Sequence, residues 1–235
     1  MKILAIDSSA FPASAAITED SRIIAEFYIH TKFTHSQTLM PMISSVLDMA
    51  QIKIADIDLV AATKGPGSFT GVRIGVASAK GIAMPTDIPC CGISALEAIA
   101  YNFCGDSDDK LICASMDARV GQVYNAIFRV CGGKIERITP DRVIIVSALA
   151  EEMKAYSEKV YLSGDGAELC AKAFTELNCV VVPENLRYQR ASSVAFAAKV
   201  HKDEGDTCTA GELQPLYLQI PQATRELNKR LNNKN

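Results

Sequence analysis

A two-residue period dominates the start of the chain. Residues Arg22 to His30 set Ile23, Ala25, Phe27 and Ile29 against Arg22, Glu26, Tyr28 and His30, and Ile24 alone spoils the polar side. That alternation predicts a half-buried strand. Two shorter apolar runs precede it, Ile3 to Asp7 and Ala13 to Thr18, separated by the turn-forming Ser8-Ser9-Ala10-Phe11-Pro12. Together the three read as an antiparallel meander. The period then lengthens: Leu39, Met42, Ile43, Val46, Leu47 and Ala50 recur at helical spacing over His35 to Ala50, with Thr34 or Ser36 as N-cap. Pro41 lies early in this helix, where it removes an amide bond or kinks the first turns. Asp58 to Lys64 reads as a buried strand feeding the loop Gly65-Pro66-Gly67-Ser68-Phe69-Thr70-Gly71. A helix over Thr70 to Ala83, a strand over Ile88 to Ile93 and a helix from Ser94 to about Tyr101 complete this half. The order βββαβαβα is that of a ribonuclease-H-like domain.

The polar, acidic stretch Gly105-Asp106-Ser107-Asp108-Asp109-Lys110 interrupts the apolar pattern and marks a boundary. Beyond it a meander begins again, with Leu111 to Asp117, a turn at Val120-Gly121, and Gln122 to Val130, then Lys134 to Ile138 after Gly132-Gly133. Strands at Arg142 to Val146, Val160 to Ser163 and Val180 to Val182 alternate with helices over Ser147 to Tyr156, Ala167 to Leu177 and Ser192 to Lys202. No sequence repeat is detectable, yet both halves open on a meander and continue with alternating helix and strand. The expectation is an α/β chain of two ribonuclease-H-like domains around a cleft, residues 1–107 and 108–235.

Composition agrees with a packed fold. The 235 residues suffice for one or two cores, and 49% apolar with 22% charged content excludes a disordered chain. Lys plus Arg is 24 against 27 Asp plus Glu, a net charge of −3, so the basic excess of a chain that grips nucleic acid alone is missing. Asp7 ends the apolar start before an export signal is complete, and no run approaches the roughly 18 apolar residues of a membrane helix. The eight cysteines form no CxxC pair and sit mostly in apolar runs, which points to reduced, buried thiols.

Candidate chemistry is sparse. Asp7-Ser8-Ser9 ends the first strand, where open α/β sheets place ligands, and reads either as part of a metal–phosphate site or as a capped Asx-type turn. The loop Gly65 to Gly71 precedes a helix and can present amides to an anion or serve as a tight turn. It is no Walker A loop, because Val72-Arg73 follows Gly71. Gly71, Gly75, Ala79 and Ala83 leave one helical stripe almost without side chains, which calls for close approach of another backbone, from its own sheet or from a partner helix. The Met-rich helix with Leu39, Met40, Met42 and Met49 beside it suits an adaptable interface. Asp117-Ala118-Arg119 mirrors Asp7 in the second half, and Gly164-Asp165-Gly166 reads as a strand-to-helix turn. Asp7, Ser8, Ser9, Asp117 and Gly164 are thus the candidate nucleotide or phosphate residues. His30, His35 and His201 are the only histidines, and none pairs at i,i+4 with another His or a Cys; His35 reads as a polar surface residue near a helix start.

Several blocks together resemble the TsaB (YeaZ) family. They are Ile3-Leu4-Ala5-Ile6-Asp7-Ser8-Ser9, His35-Ser36-Gln37-Thr38-Leu39, the run Gly65 to Gly75, Ala79-Lys80-Gly81, Asp117-Ala118-Arg119, Gly121, Val123-Tyr124, Gly164-Asp165-Gly166 and Pro215-Leu216-Tyr217-Leu218. The resemblance spans nearly the whole chain. It implies the actin-like, sugar-kinase and Hsp70-type (ASKHA) fold and a cytoplasmic subunit of the bacterial machinery that makes N6-threonylcarbamoyladenosine in tRNA, next to the anticodon. It further implies direct pairing with the catalytic paralogue TsaD, TsaE as an ATPase within the complex, tRNA contacted only indirectly, and a homodimer through a similar surface. The stretch matching the TsaD metal motif is Gly92-Ile93-Ser94-Ala95-Leu96-Glu97-Ala98-Ile99: the glutamate falls on Glu97, but the two histidine positions hold Ala95 and Ile99. The resemblance therefore implies no catalytic residue and no metal in this chain. It implies no cofactor for the isolated chain, with ATP or ADP only in the complex. The family's partner-binding helices carry the interface role onto Leu39, Met42, Val46, Val72, Gly75, Val76 and Ala79.

A non-catalytic scaffold and activator is the first reading. An ATP-binding ASKHA-type protein and an inactive glycoprotease-type metallopeptidase are the alternatives. Arg119, bulky where a phosphate loop wants glycine, argues against the former, and the missing histidines argue against the latter. The tail from Arg225 to Asn235, with four positive charges against one negative, reads as a frayed end or a small contact to tRNA phosphates.

Overall fold

The structure, a computed structural model, describes residues 1–219; the basic tail singled out above lies outside the described residues. The expected meander forms from β1 (Lys2–Asp7), β2 (Ala13–Glu19) and β3 (Arg22–Ile29), with β1 and β2 paired from Lys2↔Glu19 to Asp7↔Ser14. Strands β4 (Leu59–Gly65) and β5 (Cys90–Ser94) then join in parallel, giving the order β3-β2-β1-β4-β5. Strands β1 and β4 read as unbroken apolar runs because both of their faces are covered. Leu4, Ile6, Val60 and Ala62 pack under α1 (His35–Ala50) and α2 (Phe69–Ala83). Ile3, Ala5, Leu59 and Ala61 pack on the opposite side, where α7 (Ala191–Asp203) supplies Ala191, Val194, Ala195 and Ala198.

The second sheet has the order β11-β10-β6-β7-β8, with β9 also paired to β7. Its strands are β6 (Lys110–Arg119), β7 (Gln122–Cys131), β8 (Lys134–Arg137), β9 (Arg142–Ile145), β10 (Val160–Ser163) and β11 (Cys179–Val181). Helices α4 (Val146–Met153) and α5 (Ala167–Ala173) cover one face of it, and α3 (Ala95–Ala100) covers the other together with Val182 and, from the short α6 (Glu184–Arg187), Leu186. Because α3 also packs on α7, the molecule stacks helix, sheet, helix, sheet and helix in five layers.

Two helices are shorter than their periodicity predicts. Helix α4 ends at Met153 rather than Tyr156, in tight turns through Lys154, Ala155 and Tyr156. Helix α5 ends at Ala173, because Phe174 leaves helical geometry (ψ 44°) and buries its ring in the core below. At α1 the sequence is followed closely. Gln37 reaches back to Thr34, accepting from its Oγ1 at 2.9 Å, and the helix runs through exposed Pro41.

The bare stripe of α2 meets the β1–β2 turn of its own sheet. A Cβ at Gly71 would overlap the Ser8 carbonyl oxygen, and one at Gly75 would lie 2.6 Å from Ser8 Oγ. Gly81, in the same helix, has open space around it. Gly71→Ala should therefore destabilise the protein by about 1–3 kcal/mol, since the overlap is with backbone that cannot yield cheaply. Gly81→Ala should stabilise it by ~0.5–1 kcal/mol through helix propensity alone. Urea unfolding of the two variants beside the wild type checks both signs.

Candidate functional site

A cleft of about 660 Å³ opens between the two halves. Its first wall comes from the turn at Ser9, Ala10 and Phe11, from residues 31–36 and from the loop 66–71; its second comes from Met116, Asp117, Ala118, Arg119, Tyr124 and Asp165. Leu216, Tyr217, Leu218 and Gln219 border both.

Asp7 lies fully buried behind this cleft. Its Oδ1 accepts from Thr63 Oγ1 (2.6 Å), Ser9 Oγ (2.7 Å) and the Ser9 amide (3.3 Å), while Ser9 Oγ accepts from Gln189 Nε2 (2.7 Å). Among the described residues Oδ2 has no hydrogen-bond partner. Burial pushes the carboxyl up to about 6, against the pull of those hydrogen bonds. The adjoining turn is closed by the glycine loop: Ser68 N–H donates to Ser9 O (2.7 Å), and Ser8 Oγ donates to Gly71 O (2.9 Å).

Of the five candidate phosphate residues, Ser9 and Asp117 line the cleft, whereas Asp7, Ser8 and Gly164 do not. Gly164 (φ 99°) is pressed against the Ser115 carbonyl, where any Cβ would overlap. Asp117 is engaged on both sides, its amide donating to Asp165 Oδ1 (2.9 Å) and its Oδ1 accepting from the Arg119 amide (2.8 Å). Desolvation in the cleft floor, then the neighbouring Asp117 charge, raises the Asp165 carboxyl. Arg119 and Val120 both take left-handed geometry, φ 70° and 53°, which is a costly state for a β-branched valine. His35 is half-buried rather than a plain surface residue; its Nε2 bonds Ala10 O at 2.8 Å and ties α1 to the β1–β2 turn.

The seven residues expected to face a partner are all turned inward. Leu39, Met42, Val46, Val72, Val76 and Ala79 belong to the core between α1, α2 and the first sheet, and Gly75 rests on Ser8. A leucine at Gly75 would collide with that turn before it reached any partner. The outward faces are different: Met40, Met49 and Met84 are 49%, 74% and 57% exposed, with Ser44 and Asp48 on α1 and Arg73, Ala77 and Gly81 on α2 beside them.

The stretch compared above with a metal motif is committed to packing. Ala95 and Ile99 are completely buried, and neither carries a donor atom. Glu97 accepts from His201 Nε2 (3.0 Å) and Arg137 Nη2 (3.2 Å); His201 Nδ1 bonds Asp206 (2.8 Å) and Arg137 Nη1 bonds Asp141 (2.6 Å). This network joins α3 to α7 and to β8. Burial alone would raise the Glu97 carboxyl, but His201 and then Arg137 outweigh it and hold it below its usual value. The Glu97 hydrogen bond in turn pushes His201 up to about 9. Burial raises the thiols of Cys90 and Cys170 to about 11 and of Cys91 and Cys113 to about 12, which keeps them protonated. Among the described residues no group of three or more His, Cys, Asp or Glu could hold a metal ion, and no helix is long and apolar enough to cross a membrane.

Comparison with known proteins places this geometry. The family model described as TsaD, tRNA N6-adenosine threonylcarbamoyltransferase, matches residues 23–224. The tRNA threonylcarbamoyladenosine biosynthesis protein TsaB of Bacillus subtilis is 32% identical over 226 residues, covering 95% of this chain and 96% of that protein. Its counterpart from Escherichia coli is 29% identical over 228 residues, covering 97% and 98%. The solved structure of YeaZ from Pseudomonas aeruginosa superposes with a TM-score of 0.82 at 24% identity, over 92% of this chain and 99% of that one. The likeness bears out the expected α/β, ASKHA-type fold.

His201 gives a pH signature. Its pKa is raised from 6.5 to about 9, so its contribution to stability is full below about 6.5 and is lost as pH rises through 9. The melting-temperature gap between wild type and His201→Asn should be widest near pH 6 and should close towards pH 10, as followed by thermal unfolding across that range.

Proposed function

The chain belongs to the TsaB family, within the wider group that the TsaD model describes, and on that premise we propose a site for its non-catalytic, accessory role: it docks on a TsaD-type transferase through the outer faces of α1 and α2. The assembly so formed makes N6-threonylcarbamoyladenosine in tRNA, next to the anticodon, in the cytoplasm. The partner carries the transfer chemistry, TsaE joins the complex, and this chain touches tRNA only indirectly, in keeping with its net charge of −3. A homodimer uses the same faces and is displaced when the transferase binds.

The observation that carries this reading is the state of Glu97. The side chain is saturated by His201 and Arg137, and its flanking positions are the donor-free Ala95 and Ile99. A glutamate so employed braces the fold, and what the chain has left to offer a reaction is its surface. That surface has a suitable character on α1 and α2. Met40, Met49 and Met84 expose flexible, polarizable side chains, which fit an apolar contact that must accept two alternative partners.

Size exclusion with light scattering tests the proposal, using this chain and the TsaD-type protein of the same organism. Wild type should give a stable heterodimer. The double variant Met49→Asp, Met84→Asp should keep its melting temperature within a few degrees and lose both heterodimer and homodimer. A normal heterodimer from the double variant would move the interface elsewhere, and the absence of any wild-type heterodimer would remove the partner.

A further inference from the structure

Two of the sequence blocks singled out at the start, the run Gly65 to Gly75 and Pro215-Leu216-Tyr217-Leu218, lie far apart in the chain and meet at one exposed arginine. After α7 the chain bridges β5 at Cys90↔Cys208 and then follows the flank of α2. Lys80 Nζ donates to Gly211 O and Leu213 O, both at 3.1 Å, and the Leu216 amide donates to Lys64 O at 2.6 Å. This course brings Tyr217 beside Phe69, with ring centroids 4.9 Å apart. The Arg73 guanidinium lies 3.8 Å above the Phe69 ring, and its Nε donates to Tyr217 Oη at 2.6 Å. Among the described residues neither Nη atom of Arg73 has a partner.

We infer that Arg73 is the charged anchor of the docking face, a guanidinium fork held ready for a carboxylate on the TsaD-type partner. The inference rests on the reading above and deepens it. Arg73, Ala77 and Gly81 share one exposed stripe of α2, and the exposed Met84 follows directly after the helix. Stacking on Phe69 and the bond to Tyr217 fix the planar head, so the side-chain entropy that a docking arginine ordinarily loses has already been lost on folding. The two Nη groups, without a partner among the described residues, present parallel donors, the geometry that takes a carboxylate through two bonds. Arginine and tyrosine are also the residue types in which interface energy concentrates. Tyr217 is then a positioning residue: it touches Arg73 and orients the fork. A carboxylate from a protein partner is preferred over an RNA phosphate because the exposed stripe carrying the fork continues through the uncharged Ala77 and Gly81, and the net charge of the chain is −3.

Calorimetric titration of the TsaD-type protein into wild type, Arg73→Ala, Arg73→Lys, Tyr217→Phe and Met84→Asp, at low and high salt, tests it. Arg73→Ala should weaken binding about ten-fold or more. Arg73→Lys should recover little of that loss, since it restores the charge without the fork. Tyr217→Phe should cost about three-fold, with the salt dependence reduced and the melting temperature unchanged. Should Met84→Asp weaken binding while Arg73→Ala does not, the anchor is refuted and the docking face stands. If neither variant changes the affinity, the docking face falls and the anchor with it. If Arg73→Ala spares the protein partner but weakens a salt-dependent association with tRNA, the fork serves phosphate and the inference is overturned.

Discussion

The molecule is organised around a place where two backbones touch with no side chain between them. The carbonyls of Ser8 and Ser9 lie directly against Gly71 and Gly67, and Ser8 Oγ occupies the space a Cβ would need at Gly75. Such contact is available only to glycine, and two glycines inside a helix cost about 1 kcal/mol each in propensity. What the contact supplies is placement. It seats the start of α2 on the β1–β2 turn, where the Ser68 amide donates to the Ser9 carbonyl and the Ser8 hydroxyl donates to the Gly71 carbonyl of the helix. It also turns Met84, Ala77 and Arg73 outward. The buried turn beside Asp7, the outward Met84 and the arginine fork all depend on how closely that helix lies on that turn.

Where one residue type repeats in one environment, the sequence is informative. Strands β1 and β4 are visible as continuous apolar runs because they are covered twice, whereas the alternation of β3 does not match its surroundings: Ile23 and Phe27 are exposed, and Glu26 on the polar side is largely buried against Arg190 and Ser192. The glycine stripe of α2 is equally visible, but a stripe states that something is near, not what. The same i,i+4 pattern serves a partner helix or the molecule's own backbone, and here it serves the β1–β2 turn, so the residues to which the family resemblance carried an interface role point into the core. The polar groups that define the molecule's character were not legible at all. Glu97 and His201 are 104 residues apart and Arg73 and Tyr217 are 144 apart, and pairings of that range leave no local periodicity. Val120 in left-handed geometry is the opposite case, a residue whose own preference argues against the conformation it holds.

Glu97 shows how one position takes its role from its neighbours. A carboxylate flanked by histidines one helical turn apart is a ligand set; the same carboxylate flanked by alanine and isoleucine, with an imidazolium and a guanidinium against it, is a brace between layers. Its charge is spent on joining α3, α7 and β8. A rigid join of this kind suits a protein whose contribution is a surface of defined shape.

The position of α7 in the stack carries a consequence for how the chain is made. Ile3, Ala5, Leu59 and Ala61 emerge from the ribosome early, but the alanine-rich face that covers them is encoded at residues 191–198. During synthesis the first sheet therefore gains α1 and α2 on one side, while its other side has only Ala98 and Tyr101 against it until residues 191–198 have been translated. At 5–20 residues per second, that interval lasts on the order of ten seconds. For that time the nascent chain presents an incompletely covered apolar sheet face, the kind of surface that folding chaperones bind, and burial of that face becomes complete only when α7 arrives.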